Sequence, residues 1–181
     1  FFFNSAKYAV LTTVLSLFVC SLAGYAFEIY HDKWKDRLFT VILMTMMLPF
    51  VALMVPLFQM FSKARLLNST LGFLLSAPLL IMMFRQAAKS FPGEIIEAAR
   101  IDGLSEIQIF FRMFVPMMKS TYAAAVTISF MNAWNNYLWP KVIMTKGSSQ
   151  TMPMMISSLT AGYTTDYGML MLAVLITTLP T

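Results

Sequence analysis

The chemistry-bearing side chains of this 181-residue chain crowd into one stretch, residues 94–116, EIIEAARIDGLSEIQIFFRMFVP. Glu94, Glu97, Asp102 and Glu106 lie here, half of the chain's eight carboxylates, together with Arg100 and Arg112. No histidine or cysteine accompanies them, so the stretch offers neither a zinc-type His/Cys ligand set nor a nucleophile paired with a histidine base. The single His31 sits in a polar loop with no second histidine and no cysteine nearby. Cys20 lies in an apolar run, where a thiol is a small buried hydrophobe, and one cysteine excludes an internal disulfide. No G-x-x-x-x-G-K-[ST] occurs, so the chain has no such loop to cradle ATP phosphates. What remains is charge placed for recognition, and something polar must meet it.

The local pattern of the stretch is two short helices and a turn. Pro92 suits a first helical turn, where its missing N–H is an orphan anyway. Glu94 and Glu97 follow near the positive end of the helix dipole. Asp102-Gly103 stops the first helix, because glycine accepts the left-handed conformation that a C-terminal cap needs. Ser105 opens the second, with Gln108 at capping-box spacing. Ile107, Phe110, Phe111 and Phe114 fall at i, i+3, i+4 and i+7, an apolar stripe, and Pro116 interrupts before the next run. Such a helix fits a membrane surface or a protein groove. Ala98 and Ala99, small residues beside Glu97, favour the groove, because they allow close approach.

The elements around this stretch are oily. The chain is 59% hydrophobic and 12% charged, with a mean hydropathy of +0.71; a soluble domain has about 25% charged residues. The class is an all-α integral membrane protein. The net charge of +5 needs no nucleic acid, since cytoplasmic loops of membrane proteins carry excess Lys and Arg. Uncharged runs of bilayer-crossing length cover residues 8–27, 38–61 and 121–140; a shorter one, 71–84, reaches that length with Leu66, Leu67, Ala87 and Ala88 as interfacial ends, and a last run begins at Gly168. That gives four spans and part of a fifth in one bundle over residues 1–181, with a polar loop at 85–119. Pro49, Pro56 and Pro78 fall inside runs, which spanning helices tolerate. Alternation puts loops 28–37 and 85–120 on one side, with eight Lys and Arg residues. Loops 62–70 and 141–167 lie on the other, with four, so residues 94–116 are expected in the cytoplasm.

A second polar group lies in NAWNNYLWPK. Asn132, Asn135 and Asn136 share one face at i, i+3 and i+4, and intramembrane polar residues face protein or a water-filled path. They serve a translocation path or hold helices together. Trp134, Tyr137 and Trp139 near the end of this run read as an interfacial aromatic belt.

EAARIDG, nine residues, then M-F-V-P closely resembles the EAA loop of permease subunits in binding-protein-dependent ABC importers. That pattern is EAA, three residues, Gly, nine residues, then I-x-L-P. Glu97, Ala98, Ala99, Gly103 and Pro116 match it, and Met113 and Val115 replace the usual Ile and Leu. NSAKYAVLTTVLSLFVCSLAGYAF, MMLPFVALMVPLF, LLNSTLGF, NAWNNYLWP and YTTDYGMLMLA extend the likeness to the smaller subunit of maltose-type sugar permeases. The resemblance implies a type I ABC importer permease bundle of six spans, of which this sequence would be a fragment holding the second to the fifth and the start of the sixth. It implies a bacterial-type cell membrane, multi-pass. The partners would be cytoplasmic ATPase subunits carrying ATP and Mg, a second permease subunit in a heterodimer, an external solute-binding protein, a sugar and the bilayer. The chain itself would bind no cofactor and hydrolyse nothing. Residues 85–119 would be the coupling loop, with Glu97, Ala98, Ala99, Asp102, Gly103 and Pro116 at the ATPase joint. The loop GSSQTMPMMISSLTAGYTTDYG would reach the binding protein's sugar cleft through Gly162, Tyr163 and Asp166.

Two rivals remain in view. An ABC permease for a non-sugar solute shares the EAA loop. An ion-coupled secondary transporter would carry charged residues within its spans, and these runs lack them.

Overall fold

The computed structural model describes residues 1–30, 32–69, 78–161 and 166–180, and among them it is helical with no strand. The packing falls into two compact units: Phe1–Thr13, Phe50–Leu75 and Ser129–Thr181 form one, and Val14–Pro49 with Ser76–Ile128 the other. Helix α1, Phe2–Ile29, contributes its first part to one unit and its last part to the other. It is the one helix among the described residues long and apolar enough to cross a membrane. Its buried positions include the small residues Ser5, Ala9, Thr13, Ser16, Cys20, Ser21 and Gly24 beside the larger Tyr8, Leu17, Tyr25 and Phe27. Small side chains there let neighbours approach closely, as helices in lipid require.

The run at 38–61 is not one straight span. It divides into α2, Lys33–Thr45, and α3, Phe50–Lys63, with the chain breaking at residues 46–49. Pro49 explains the break, because its ring pushes the preceding Leu48 out of the helical region; the pair would count as a span only as a broken one. Pro56 is carried inside α3. Of the third run, 71–84, residues 78–84 are described, and they lie in α4, Pro78–Ala88.

The run at 121–140 also breaks. Helix α8 is Lys119–Trp134 and α9 is Leu138–Ile143; between these, Asn136 Oδ1 accepts the backbone N–H of Trp139 at 3.3 Å. A continuous helix would set the Pro140 ring against the carbonyl of residue 136. Restarting at Leu138 puts Pro140 in a first turn, where its missing N–H is no loss. The remaining helices are α5, Gly93–Ile101; α6, Glu106–Ile109; α7, Val115–Met117; α10, Met152–Thr160; and α11, Tyr167–Thr178.

Within the unit that holds residues 94–116, α1 and α4 pack at backbone distance. A Cβ on Gly24 would lie 2.6 Å from Phe84 Cβ and 2.7 Å from the Arg85 nitrogen, so only glycine fits. Leu17, Cys20, Phe27, Leu80, Ile81, Phe84 and Ala125 close around this contact. In the other unit, Trp139, Ile143 and Met144 pack on Phe61, Tyr8 and Met154.

Candidate functional site

The turn at residues 93–109 is capped at each of its inner ends. Helix α5 begins after Pro92, which sits at the N-cap rather than in the first turn, and Asp102 closes it. Gly103 follows at φ +80°. Its N–H donates to the Arg100 carbonyl at 3.1 Å, while the Leu104 N–H reaches back to the Ala99 carbonyl at 3.0 Å. These two bonds make a complete Schellman closure of α5. Two residues on, Ser105 N–H donates to Gln108 Oε1 at 2.9 Å and Gln108 N–H donates to Ser105 Oγ at 3.4 Å, the reciprocal capping box.

The stripe read at Ile107, Phe110, Phe111 and Phe114 is only partly the buried face. Residues Phe110–Phe114 form a π-turn, with the Val115 N–H donating to the Phe110 carbonyl five residues back. The wider turn moves the Arg112 carbonyl away from the Pro116 ring, and it shifts the register. Ile109, Phe110 and Phe114 are buried at 0%, 2% and 0% exposure, whereas Ile107 stands 70% and Phe111 50% exposed. The buried side docks on the last turns of α1: the Tyr25 ring meets Phe114 at 4.9 Å and Phe110 at 5.3 Å between centroids. Phe91, Ile96 and Ala99 complete that cluster.

Of the residues singled out from sequence, Ala99 is buried beneath the turn, and Glu97, Ala98, Asp102, Gly103 and Pro116 are exposed. Ile101, 86% exposed, and Ile107 flank the turn as apolar shoulders. The outward face is therefore small at Ala98, acidic at Glu97 and Asp102, and apolar at both sides. Arg100 Nε donates to Glu106 Oε1 at 2.7 Å across the turn. That hydrogen bond holds the Glu106 carboxyl below its ordinary range, with the Tyr30 hydroxyl adding to the effect. Burial, then Glu106, pushes the Tyr30 hydroxyl up. Glu97 and Arg100 also line, with Glu28, Lys89 and apolar neighbours, an open cavity of about 280 Å³.

Sequence reasoning missed the brace beneath this assembly. Arg85 of α4 donates to Glu28 at 3.2 Å and to Asp36 at 2.6 Å, with its guanidinium 4.2 Å from the centre of the Phe39 ring. One side chain thus ties the end of α1, the start of α2 and α4. The available signal was the opposite charge of Glu28 and Arg85, each just beyond an apolar run on the same expected side.

In the other unit, Asn132, Asn135 and Asn136 line one open cavity of about 830 Å³ with Phe50 and Tyr137. They do so across the end of α8 and the break after it, not as a continuous helix face. The aromatic-belt reading is corrected for both tryptophans. Trp134 is 2% and Trp139 1% exposed. Trp134 Nε1 donates to the Thr177 carbonyl at 3.0 Å and packs on Phe2 and Phe130, and Trp139 meets Phe50 and Phe61 edge-on. Tyr137 is half-buried, its hydroxyl 2.9 Å from Ser157 Oγ. Asp166 caps α11 by accepting the Met169 N–H at 3.1 Å; Gly162 and Tyr163 lie outside the described residues.

Residues 20–181 match the family described as binding-protein-dependent transport system inner membrane component, and the chain belongs to that family. It is 48% identical over 99% of its length to the lactose transport system permease protein LacG of Rhizobium radiobacter, of which it covers 67%. It is 37% identical over 93% of its length to the arabinooligosaccharides transport system permease protein AraQ of Bacillus subtilis, covering 61% of it. The sn-glycerol-3-phosphate transport system permease protein UgpE of Pectobacterium atrosepticum is 32% identical, with 98% of this chain and 65% of that protein covered. The fold is shared, at a TM-score of 0.81 and 22% identity, with a chain of a bacterial ABC transporter involved in the import of the acidic polysaccharide alginate; 94% of this chain and 62% of that chain are covered. The chain thus spans between 61% and 67% of the length of these curated relatives.

Proposed function

We propose that this chain is the core of a multi-pass permease subunit of an ATP-driven importer, taking up a sugar or oligosaccharide delivered by an external solute-binding protein. The observation that carries the reading is the outward face of the α5–α6 turn: exposed, doubly capped, and braced from behind. A loose loop would dissipate a push; this one transmits it to Tyr25 and so to α1. Cytoplasmic ATPase subunits, holding ATP and Mg, grip Glu97 and Ala98, while Ala99, Asp102, Gly103 and Pro116 keep the turn's shape. Their closure turns the permease pair, this chain and a second permease subunit, from inward- to outward-facing. Asn132, Asn135 and Asn136 line the solute's path with amides that suit sugar hydroxyls, and the segment with Gly162, Tyr163 and Asp166 meets the binding protein. A saccharide is favoured over glycerol 3-phosphate because the lactose permease is more similar to this chain than the glycerol-3-phosphate one, at 48% against 32% identity.

The test places a cysteine at Ala98 in the full-length parent, with the buried Cys20 replaced. A nucleotide-sensitive crosslink to the co-expressed ATPase subunit is expected. No crosslink across a range of reagent lengths, in a complex shown to be intact, would refute the coupling role. Uptake of labelled oligosaccharide that stops with ATP depletion, but not with a protonophore, separates the importer from an ion-coupled carrier.

A further inference from the structure

Charge is divided unequally between the two compact units. The unit containing the α5–α6 turn holds eight Lys and Arg against seven carboxylates, and its ion pairs, Arg85 with Glu28 and Asp36 and Arg100 with Glu106, are internal. The other unit holds Lys7, Lys63, Arg65, Lys141 and Lys146 against a single carboxylate, Asp166. By charge count the expected cytoplasmic side has more cations, yet those cations are nearly all compensated. Four of the uncompensated ones, Lys63, Arg65, Lys141 and Lys146, belong to loops that span alternation assigns to the outer side, where Lys and Arg run against the usual bias.

Four of them are gathered by one clamp. Asn68 adopts the left-handed conformation, φ 58°, which asparagine tolerates. Its Oδ1 accepts the N–H groups of Thr145 and Lys146 at 2.8 and 3.2 Å, and its Nδ2 donates to Thr145 Oγ1 at 2.9 Å. Its own N–H donates to the Ile143 carbonyl at 3.1 Å. Lys63 and Arg65 precede the clamp, Lys146 sits in it, and Lys141 lies on α9, whose Trp139 and Ile143 pack against Phe61 of α3. The following segment is pinned as well, since Asn4 Nδ2 donates to the Ser148 and Gln150 carbonyls at 2.7 and 3.1 Å. All four cations are exposed. A fixed backbone thus presents uncompensated positive charge outward.

We infer that this basic rim is an interaction surface for an acidic face of the external solute-binding protein, steering its docking. The inference rests on the importer reading above. Complementary charge acts chiefly on encounter and is screened by salt, so the surface governs how readily the partner docks rather than how fast the loaded complex turns over.

The test uses the full transporter in phosphatidylcholine vesicles, reading the concentration of its solute-binding protein that half-maximally stimulates ATPase. Between about 0.01 M and about 0.15 M salt the screening length falls from roughly 30 Å to roughly 8 Å, and that concentration is expected to rise. Lys63→Gln with Lys141→Gln and Lys146→Gln should raise it about tenfold at low salt, flatten its salt dependence and leave maximal ATPase unchanged. A wild type indifferent to salt, or a triple variant matching wild type, overturns the inference. So does an effect of the variant seen only when phosphatidylglycerol is added, which assigns the rim to lipid headgroups. A wild-type transporter whose ATPase no solute-binding protein stimulates would defeat the import reading together with it.

Discussion

Gly103 is the position where a single atom should expose how the turn is held. A Cβ there would meet nothing within 4 Å, so steric crowding plays no part in any substitution. The whole effect is conformational, because φ is +80°. For an L-residue the left-handed region costs roughly 1–2 kcal/mol, less for asparagine and more for a β-branched residue. Proline cannot reach a positive φ at all. It also removes the N–H that donates to Arg100 and displaces the chain that delivers the Leu104 N–H to Ala99, two bonds of about 1 kcal/mol each. The expected order of local destabilisation is therefore Asn, then Ala, then Val, then Pro, spanning about 0.5 to 3 kcal/mol or more.

Hydrogen exchange at residues 99–108 of the full transporter reads this directly. Each 1.4 kcal/mol is a factor of about ten in the opening equilibrium, so Gly103→Ala should speed exchange of the Leu104 and Gln108 amides by roughly fivefold to thirtyfold, and Gly103→Pro by a hundredfold or more. Solute imported per ATP should decline in the same order. An order that follows side-chain volume, or Asn as damaging as Val, would refute the reasoning.

Gly24 behaves oppositely. Its Cβ would collide with backbone atoms of α4, so Gly24→Ala should lower the melting temperature through overpacking of about 1–3 kcal/mol, and trimming Phe84 should not rescue it. Arg85→Met should cost about 2–3 kcal/mol in chemical denaturation by stranding the largely buried Glu28, with partial recovery when Glu28→Gln is added. For Glu106, whose folded pKa is depressed by Arg100, the stabilisation is complete above its ordinary value near 4.5 and is lost as pH falls through the lower folded value. Exchange at the turn should therefore rise only in that acid window and by a factor of a few, since the pair is about half exposed, and Glu106→Gln should abolish the acid step.

The legible parts of the fold were those set by local chemistry. Asp102-Gly103 and Ser105 with Gln108 specify their caps without help from distant residues, and the structure forms both. Residues 8–27 announce a long helix because nothing in them is charged or breaks a helix. The misread parts depend on competition. Pro49 and Pro140 each sit in runs that hydropathy alone joins, and which carbonyl the ring would meet decides where the chain breaks. The buried face runs through Ile109, Phe110 and Phe114, with a π-turn at residues 110–114, and Ile107 and Phe111 of the expected stripe stand at the surface. Trp134 and Trp139 have the composition of an interfacial belt, and only the carbonyl of Thr177 and the rings of Phe50 and Phe61, far along the chain, make them core. The Arg85 brace joins three elements that no periodicity links.

The last prediction concerns why Glu97 is left free to meet a partner. It has no ion pair or side-chain hydrogen bond among the described residues, although Arg100 stands three positions along the same helix, where opposite charges ordinarily pair. Arg100 is instead drawn across the turn to Glu106, leaving the exposed carboxylate of Glu97 without an ion pair among the described residues. Glu106→Gln should release Arg100 to Glu97. An exposed pair at that spacing is worth about 0.2–0.5 kcal/mol, so affinity for the ATPase subunit should fall by roughly twofold, measured as the nucleotide-free dissociation constant of the assembled complex. Removing the competitor as well, in Glu106→Gln with Arg100→Gln, should return the affinity to wild type even though the turn has lost an ion pair. If the double variant binds no better than the single one, the Arg100–Glu106 pair only supports the turn, and the availability of Glu97 does not depend on it.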